Sequence, residues 1–305
     1  MREGILKNVL VVGAGGYLGR YVALEFKKRG YRVRAFVRDP EKLKLAGPAH
    51  QPPIFDMVDE VFTGDATRPD TLLGLCDGID IVFSSMGLAR SDSHLTFEEV
   101  DHIANRNILE LALKAKVSKF VYVSIFRAEL VMESDVVRAH EAFVDDLRAS
   151  VIDYAIIRPN AYFSDMAQFL NIARKGHLFW LGDGHNLMNP IHGADLAVVC
   201  VDAAEGTVRE IDVGGPDMFT FRSLFELAFE TVGREPGITF LPLWLGEAAL
   251  WTIRLFNPKL ADSASFFVLV NKMENDAPKY GSRRMKDYFM EMAAESGQPP
   301  HQSKQ

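Results

Sequence analysis

Cysteine is scarce. The 305 residues hold two, Cys76 and Cys200, far apart and each in apolar surroundings. Zinc needs ligand pairs at close spacing, so no metal site is expected, and the two read as small buried hydrophobes in a reducing compartment. Runs of lysine and arginine are missing as well. With 34 basic against 41 acidic side chains the net charge is −7. A chain without a basic face cannot neutralise a phosphate backbone, which excludes bulk nucleic-acid binding. Long apolar runs are also absent. A membrane-spanning helix needs about 20 apolar residues in a row, and the nearest approach, 240–256, is broken by Glu247 and Arg254. The run 9–12 is too short for a secretory signal and ends in glycines. A cytoplasmic protein with no spanning segment is the expectation.

What the chain does have is an alternation of two periods. Short β-branched runs fall at 8–12, 32–37, 60–63, 79–84, 119–124 and 154–158, and helix-length amphipathic segments at 17–28, 97–116 and 135–149 lie between them. Strands alternating with helices predict a parallel sheet covered on both faces, that is, an α/β doubly wound sheet of Rossmann type. Gly30 is expected to end the first helix, Asp39-Pro40 to open a short one, and the three prolines of 46–53 to form a loop. Beyond Asn160 the pattern loosens. Helices are expected at 164–175, 194–204, 221–232, 243–256, 262–275 and 282–295, with a strand at 210–213. Residues 176–189 read as a hairpin turning at Gly182-Asp183-Gly184. The expected domains are 1–160, which binds a dinucleotide; 161–296, which returns to the sheet and adds a smaller helical substrate lobe; and a disordered tail, 297–305.

The sharpest motif is Val9-Leu10-Val11-Val12-Gly13-Ala14-Gly15-Gly16-Tyr17-Leu18-Gly19-Arg20. It joins an expected strand to an expected helix. Glycines there let the backbone turn and approach a pyrophosphate, and the helix start supplies free N–H donors and a favourable dipole. Gly13, Gly16 and Gly19 are spaced Gly-x-x-Gly-x-x-Gly, and Gly15, Tyr17 and Leu18 complete the predicted phosphate site. At the end of the second strand Arg38 precedes Asp39. A guanidinium fork suits a 2′-phosphate, so NADP is expected over NAD. Asp39 reads as a helix cap.

The glycine loop, Thr63-Gly64-Asp65-Ala66-Thr67, Val121-Tyr122-Val123-Ser124 and Ile157-Arg158-Pro159-Asn160 together resemble the atypical short-chain dehydrogenase/reductases, in the NmrA-like, NAD(P)H-binding branch. The resemblance covers about residues 8–215. It implies that Asp65 and Ala66 sit by the adenine, and that Ser84, Ser85 and Met86 line the nicotinamide ribose. For Asp65 a local cap is the competing reading, and for the serines a simple turn. The family's usual Ser and Tyr-x-x-x-Lys match only in part. Ser124 matches the serine, the lysine position holds His140, and the tyrosine position holds Val136.

Three catalytic candidates follow. Ser124 would orient the substrate. His140 titrates near neutrality and could move a proton or hold a ribose hydroxyl, or it is a partly buried structural histidine. Its neighbour Glu141 points to another face of the helix. Tyr162 lies beyond the carboxyl end of the sixth strand, where ligands bind in such sheets, and is a second candidate acid; Asn160 beside it is expected at the nicotinamide. Tyr122 reads as core. His192 reads as structural and Asp195 as a cap for backbone donors in its turn. The aromatic residues Trp244, Trp251, Phe256, Phe266 and Phe267 form the lobe's core, a lid over an apolar substrate, a homodimer face or an interfacial contact. The function expected is hydride transfer to or from a small, mostly apolar carbonyl or enone-like substrate. The rivals are an NADP-binding sensor or scaffold without turnover, and an isomerase or epimerase.

Overall fold

The computed structural model describes residues 7–88, 94–256, 261, 265–266, 268–271 and 273–296. Its framework is a seven-stranded parallel sheet made of β1 (Asn8–Val12), β2 (Arg32–Val37), β3 (Glu60–Thr63), β4 (Ile81–Ser84), β5 (Lys119–Val123), β6 (Asp153–Pro159) and β9 (Glu210–Val213). The strand order is β3-β2-β1-β4-β5-β6-β9. β1 therefore has β2 on one side and β4 on the other. The order reverses there, and the crevice beyond the carboxyl ends of β1 and β4 is where ligands bind in this topology.

β1 shows why the sheet is covered twice. All four of Val9–Val12 are fully buried. Val9 and Val11 enter one core with Val22 and Phe26 of α1 (Tyr17–Lys28) and Cys200 of α6 (Gly193–Glu205). Leu10 and Val12 enter the other, with Ile108 of α3 (Ala104–Lys114) and Phe143 of α4 (Asp135–Ala149). A strand alternates its side chains, so an unbroken apolar run is the mark of a strand with no solvent face. The short helix α2 (Glu41–Lys44) follows Asp39, whose Oδ1 accepts from the Glu41 N–H at 3.1 Å. Gly30 takes φ +84° and closes α1.

One expected helix differs. Residues 98–103 form a wider, π-type segment that runs into α3. Such a turn carries one extra residue and redirects side chains, often at functional sites. Here it buries Asp101 beside Asn105.

The expected hairpin at 176–189 is not formed. Its turn is present, with Gly182 and Gly184 at φ +86° and +74°. However, β7 (Leu178–Leu181) pairs in parallel with β11 (Ile238–Leu241), and β8 (Leu187–Met188) pairs antiparallel with β10 (Phe219–Thr220). Turn chemistry fixes a reversal, whereas the strands' partners depend on distant segments that the local sequence does not announce. α5 (Phe163–Lys175), α7 (Phe221–Thr231) and the last helix, Met285–Ser296, pack a third core around Phe169, Phe225 and Phe289. On α8 (Leu243–Phe256) the aromatic residues are not core: Trp244, Trp251 and Phe256 are exposed. Phe267, the expected tail 297–305 and residues 262–264 and 272 of the expected helix 262–275 lie outside the described residues. No helix among the described residues is long and apolar enough to cross a membrane.

Candidate active site

The glycine loop leaves β1 at the reversal point. Gly13 takes φ +82°, a left-handed conformation that glycine adopts without penalty. A Cβ on Gly13 would lie 3.2 Å from the backbone of Ser85 and Met86, so glycine lets this loop pack directly on the exit of β4, at the point where ligands bind in this topology. Gly19 packs tighter still, its Cβ position falling 2.1 Å from the Gly13 carbonyl oxygen. Gly16 donates to that same oxygen at 2.9 Å. No side chain caps α1, and among the described residues the N–H groups of Gly15, Tyr17 and Leu18 meet no acceptor. An uncapped helix start facing a crevice, cleared of side chains by glycine, fits a pyrophosphate. The Leu18 side chain is buried. The Tyr17 hydroxyl accepts from the Gly193 N–H at 2.9 Å, so its side chain braces α6 while its backbone opens the phosphate site.

Arg38 closes β2 on the flank of this loop. It is exposed, and among the described residues nothing pairs with its guanidinium. Asp65 spends Oδ1 on the Thr67 N–H and hydroxyl, at 3.0 and 2.8 Å, which is the local cap weighed against an adenine role. Ala66 is buried, and its carbonyl accepts from Asn107 at 2.9 Å. The Ser84 hydroxyl donates to Asn105 at 2.6 Å inside the fold, whereas Ser85 and Met86 present backbone to the crevice.

His140 and Ser124 belong to two separate networks. Tyr122 is fully buried, which pushes its phenol well above the usual range and keeps it protonated. It donates to His140 Nδ1 at 2.7 Å. His140 Nε2 lies 3.0 Å from Asp101 Oδ1, and Asp101 accepts from the Leu88 N–H at 3.1 Å. Both ring nitrogens are engaged. The chain ends on the backbone of the β4 exit, beside Gly87, whose Cβ position is 2.8 Å from Asp101. Ser124 donates to Glu141 Oε1 at 2.6 Å, and Arg158 grips both oxygens of Glu141 at 2.7 and 2.8 Å. Burial alone would raise the Glu141 carboxyl, but the hydrogen bonds from Arg158 and Ser124 outweigh it and hold the group below its usual range. Successive helix residues point apart, so His140 and Glu141 serve different faces of α4.

Tyr162 follows β6. Its ring sits 5.9 Å from that of Tyr17 at the start of α1. Burial pushes its phenol up, and among the described residues its hydroxyl has no hydrogen-bond partner. Asn160 behaves otherwise. Its Nδ2 donates to Asn189 Oδ1 at 2.9 Å and to the Asn275 carbonyl, and the fully buried Asn189 in turn binds Gly215 and Ala277. The Asn160 side chain thus straps residues 275–277 to the sheet. Asp195 caps backbone donors, but those of Ser282 and Arg283, at 2.8 and 2.9 Å, rather than of its own turn.

His192 caps α6, its Nδ1 accepting from the Ala194 N–H at 3.1 Å. Burial and then the nearby Arg283 push its imidazole down from 6.5 to about 4. The unfolded histidine takes a proton near 6.5 and the folded one resists. Stability from this site is therefore complete above that pH and drains as pH falls toward 4, by at most about 3 kcal/mol. His192→Asn keeps an acceptor for Ala194 and removes the titration. Urea unfolding at pH 7 and pH 4.5 should show a smaller acid loss in the variant; an equal loss would put the titration elsewhere.

Sequence reasoning missed Asp101 and Arg20. Asp101 lies in an expected regular helix and gained its place from the wider turn. Arg20 had a signal, a charge set among Leu18, Val22 and Ala23.

Divinyl chlorophyllide a 8-vinyl-reductase of Arabidopsis thaliana is 27% identical, over 94% of this chain and 77% of its own. The photosystem II assembly factor Ycf39 of Trieres chinensis is 24% identical, over 89% and 84%. The NADPH-dependent quinone oxidoreductase QOR2 of Escherichia coli, solved with NADPH, superposes with a TM-score of 0.65 at 20% identity, over 94% of this chain and 99% of that one. The model of the NAD(P)H-binding family matches residues 13–206. The chain belongs to the NAD(P)H-binding family, within the atypical short-chain dehydrogenase/reductase type.

Proposed function

We propose that the chain is an NADPH-dependent reductase of a polarised C=C or C=O bond in a small, mostly apolar molecule. The observation that carries this reading is the open phosphate cradle of Gly13–Gly19 beside the unpaired Arg38. When bound, the nicotinamide supplies the hydride. The glycine loop and the start of α1 hold the pyrophosphate, Arg38 receives the 2′-phosphate, and the Ser85–Met86 backbone forms the opposite wall. His140 is a positioning residue, acting through Asp101 on the Leu88 backbone, because neither ring nitrogen is left for a substrate. Tyr162 is the proton donor. Its hydroxyl alone among the three catalytic candidates is uncommitted among the described residues, and burial keeps the phenol protonated. The names of two relatives, a vinyl reductase and an NADPH-dependent quinone oxidoreductase, support C=C or conjugated carbonyl reduction.

NADPH oxidation followed with a panel of enones, quinones and vinyl-substituted aromatics tests the reading. Tyr162→Phe should lower turnover by about 100-fold, within the range of general acid catalysis, with NADPH affinity unchanged. Unaltered turnover would remove Tyr162 from the mechanism. A second reading is favoured by the commitment of Ser124 and His140 to internal networks, by the exposed Trp244 and Trp251, and by the relative named as an assembly factor. In it the chain binds NADPH, turns nothing over and presents α8 to a partner. Tight NADPH binding with no oxidation across the panel would favour it.

A further inference from the structure

Among the described residues, Arg20 carries a charge that no carboxylate neutralises. It sits on α1 directly after Gly19 and is 3% exposed. Its Nε donates to the Gly15 carbonyl at 3.3 Å, Nη1 to those of Leu45 and Pro52 at 2.7 and 2.9 Å, and Nη2 to that of Lys42. Four of the guanidinium's five N–H donors are therefore spent on neutral oxygens. Among the described residues no carboxylate pairs with it, and burial lowers its proton affinity. A buried cation without a counter-charge is costly, and such groups normally acquire an anion.

The carbonyls it holds come from two segments. Gly15 belongs to the phosphate loop, and Lys42, Leu45 and Pro52 belong to the segment after β2. The two meet in front of Arg20: a Cβ on Gly15 would lie 3.7 Å from Val37 and 4.0 Å from Leu43. The far end of the segment is pinned by Tyr21, which donates to the His50 carbonyl at 2.7 Å, with Ala49 and His50 both held at left-handed φ, 58° and 60°. The result is a fixed shelf that begins at Lys42, four residues after Arg38 in the chain.

We propose that Arg20 is a positioning residue for the 2′-phosphate of NADP: it ties the 42–52 segment to the glycine loop, and its unpaired charge is balanced by the phosphate that Arg38 receives. This rests on the reading of the cofactor as NADP. A purely structural arginine would support NADH and NADPH alike, whereas this one favours the form that brings the extra dianion.

The test is the ratio of NADH to NADPH dissociation constants, measured by fluorescence titration of the full chain and of Arg20→Met and Arg20→Lys. Arg20→Met should weaken NADPH by about tenfold or more, about 1.4 kcal/mol, and leave NADH within about threefold. Arg20→Lys keeps the charge but cannot span four carbonyls, so it should fall between; it carries the test if the methionine variant does not fold. Equal weakening of both dinucleotides would overturn the proposal, as would an unchanged ratio. A wild type with no preference would instead overturn the NADP reading itself.

Discussion

Gly19→Ala should abolish measurable NADPH binding at micromolar protein, a loss of at least about 100-fold or 2.7 kcal/mol. The added Cβ would lie 2.1 Å from the Gly13 oxygen and 2.7 Å from its carbonyl carbon, both backbone atoms with no rotamer to give way. The loop would have to open, and the donors at the start of α1 would lose their common focus. Gly15→Ala is the control. Its Cβ meets only Val37 and Leu43, at 3.7 Å or more, so the protein accepts it and any lost affinity reports the ligand. Titration of the two variants, with melting to confirm that both fold, reads the difference. NADPH bound by Gly19→Ala within about threefold of wild type would mean that the loop is only a tight strand-to-helix turn.

Arg158→Met should destabilise the fold by about 3–5 kcal/mol, because it strands a buried carboxylate. The side chains of Arg158 and Glu141 are 10% and 14% exposed, and the guanidinium contacts both carboxylate oxygens. The pair also sets a pH dependence. The folded Glu141 carboxyl is held below its ordinary 4.5. Its contribution is therefore present above that value and is lost as pH falls through the folded one. In Arg158→Met that acid limb should shift to higher pH, since the unpaired carboxyl takes up a proton sooner. Urea unfolding between pH 3 and 7 measures both effects. A loss under about 1 kcal/mol would mean that the pair behaves as an exposed one. The same variant frees the Ser124 hydroxyl from Arg158 and so tests whether the serine needs this support.

The sheet was legible because its signals are local. A short apolar run such as 9–12, ended by glycines and followed by an amphipathic segment, reads as a strand buried on both faces, and the Gly13–Gly19 spacing implies a loop that approaches a phosphate. The positions of Gly30 and Asp39 likewise follow from backbone chemistry that each residue carries with it. The site was legible only in part, because the sequence names residue types and not their partners. His140 was readable as a titratable group in α4. That Tyr122 and Asp101 would occupy both its nitrogens depends on the wider turn at 98–103, which no residue there announces. Asn160 stands where a cofactor ligand is expected, yet its amide is taken by Asn189 and by a segment 115 residues away. Arg20 is marked by its apolar neighbours, but nothing near it announces the carbonyls of the 42–52 segment that it binds. In each case a contact distant in the chain decided what a correctly placed residue does.

The most direct measurement is a calorimetric titration of the purified chain with NADPH and, separately, NADH. A single site per chain is predicted, with NADPH bound at least about tenfold tighter, because only the 2′-phosphate reaches Arg38. No heat of binding with either dinucleotide would contradict the account at its base.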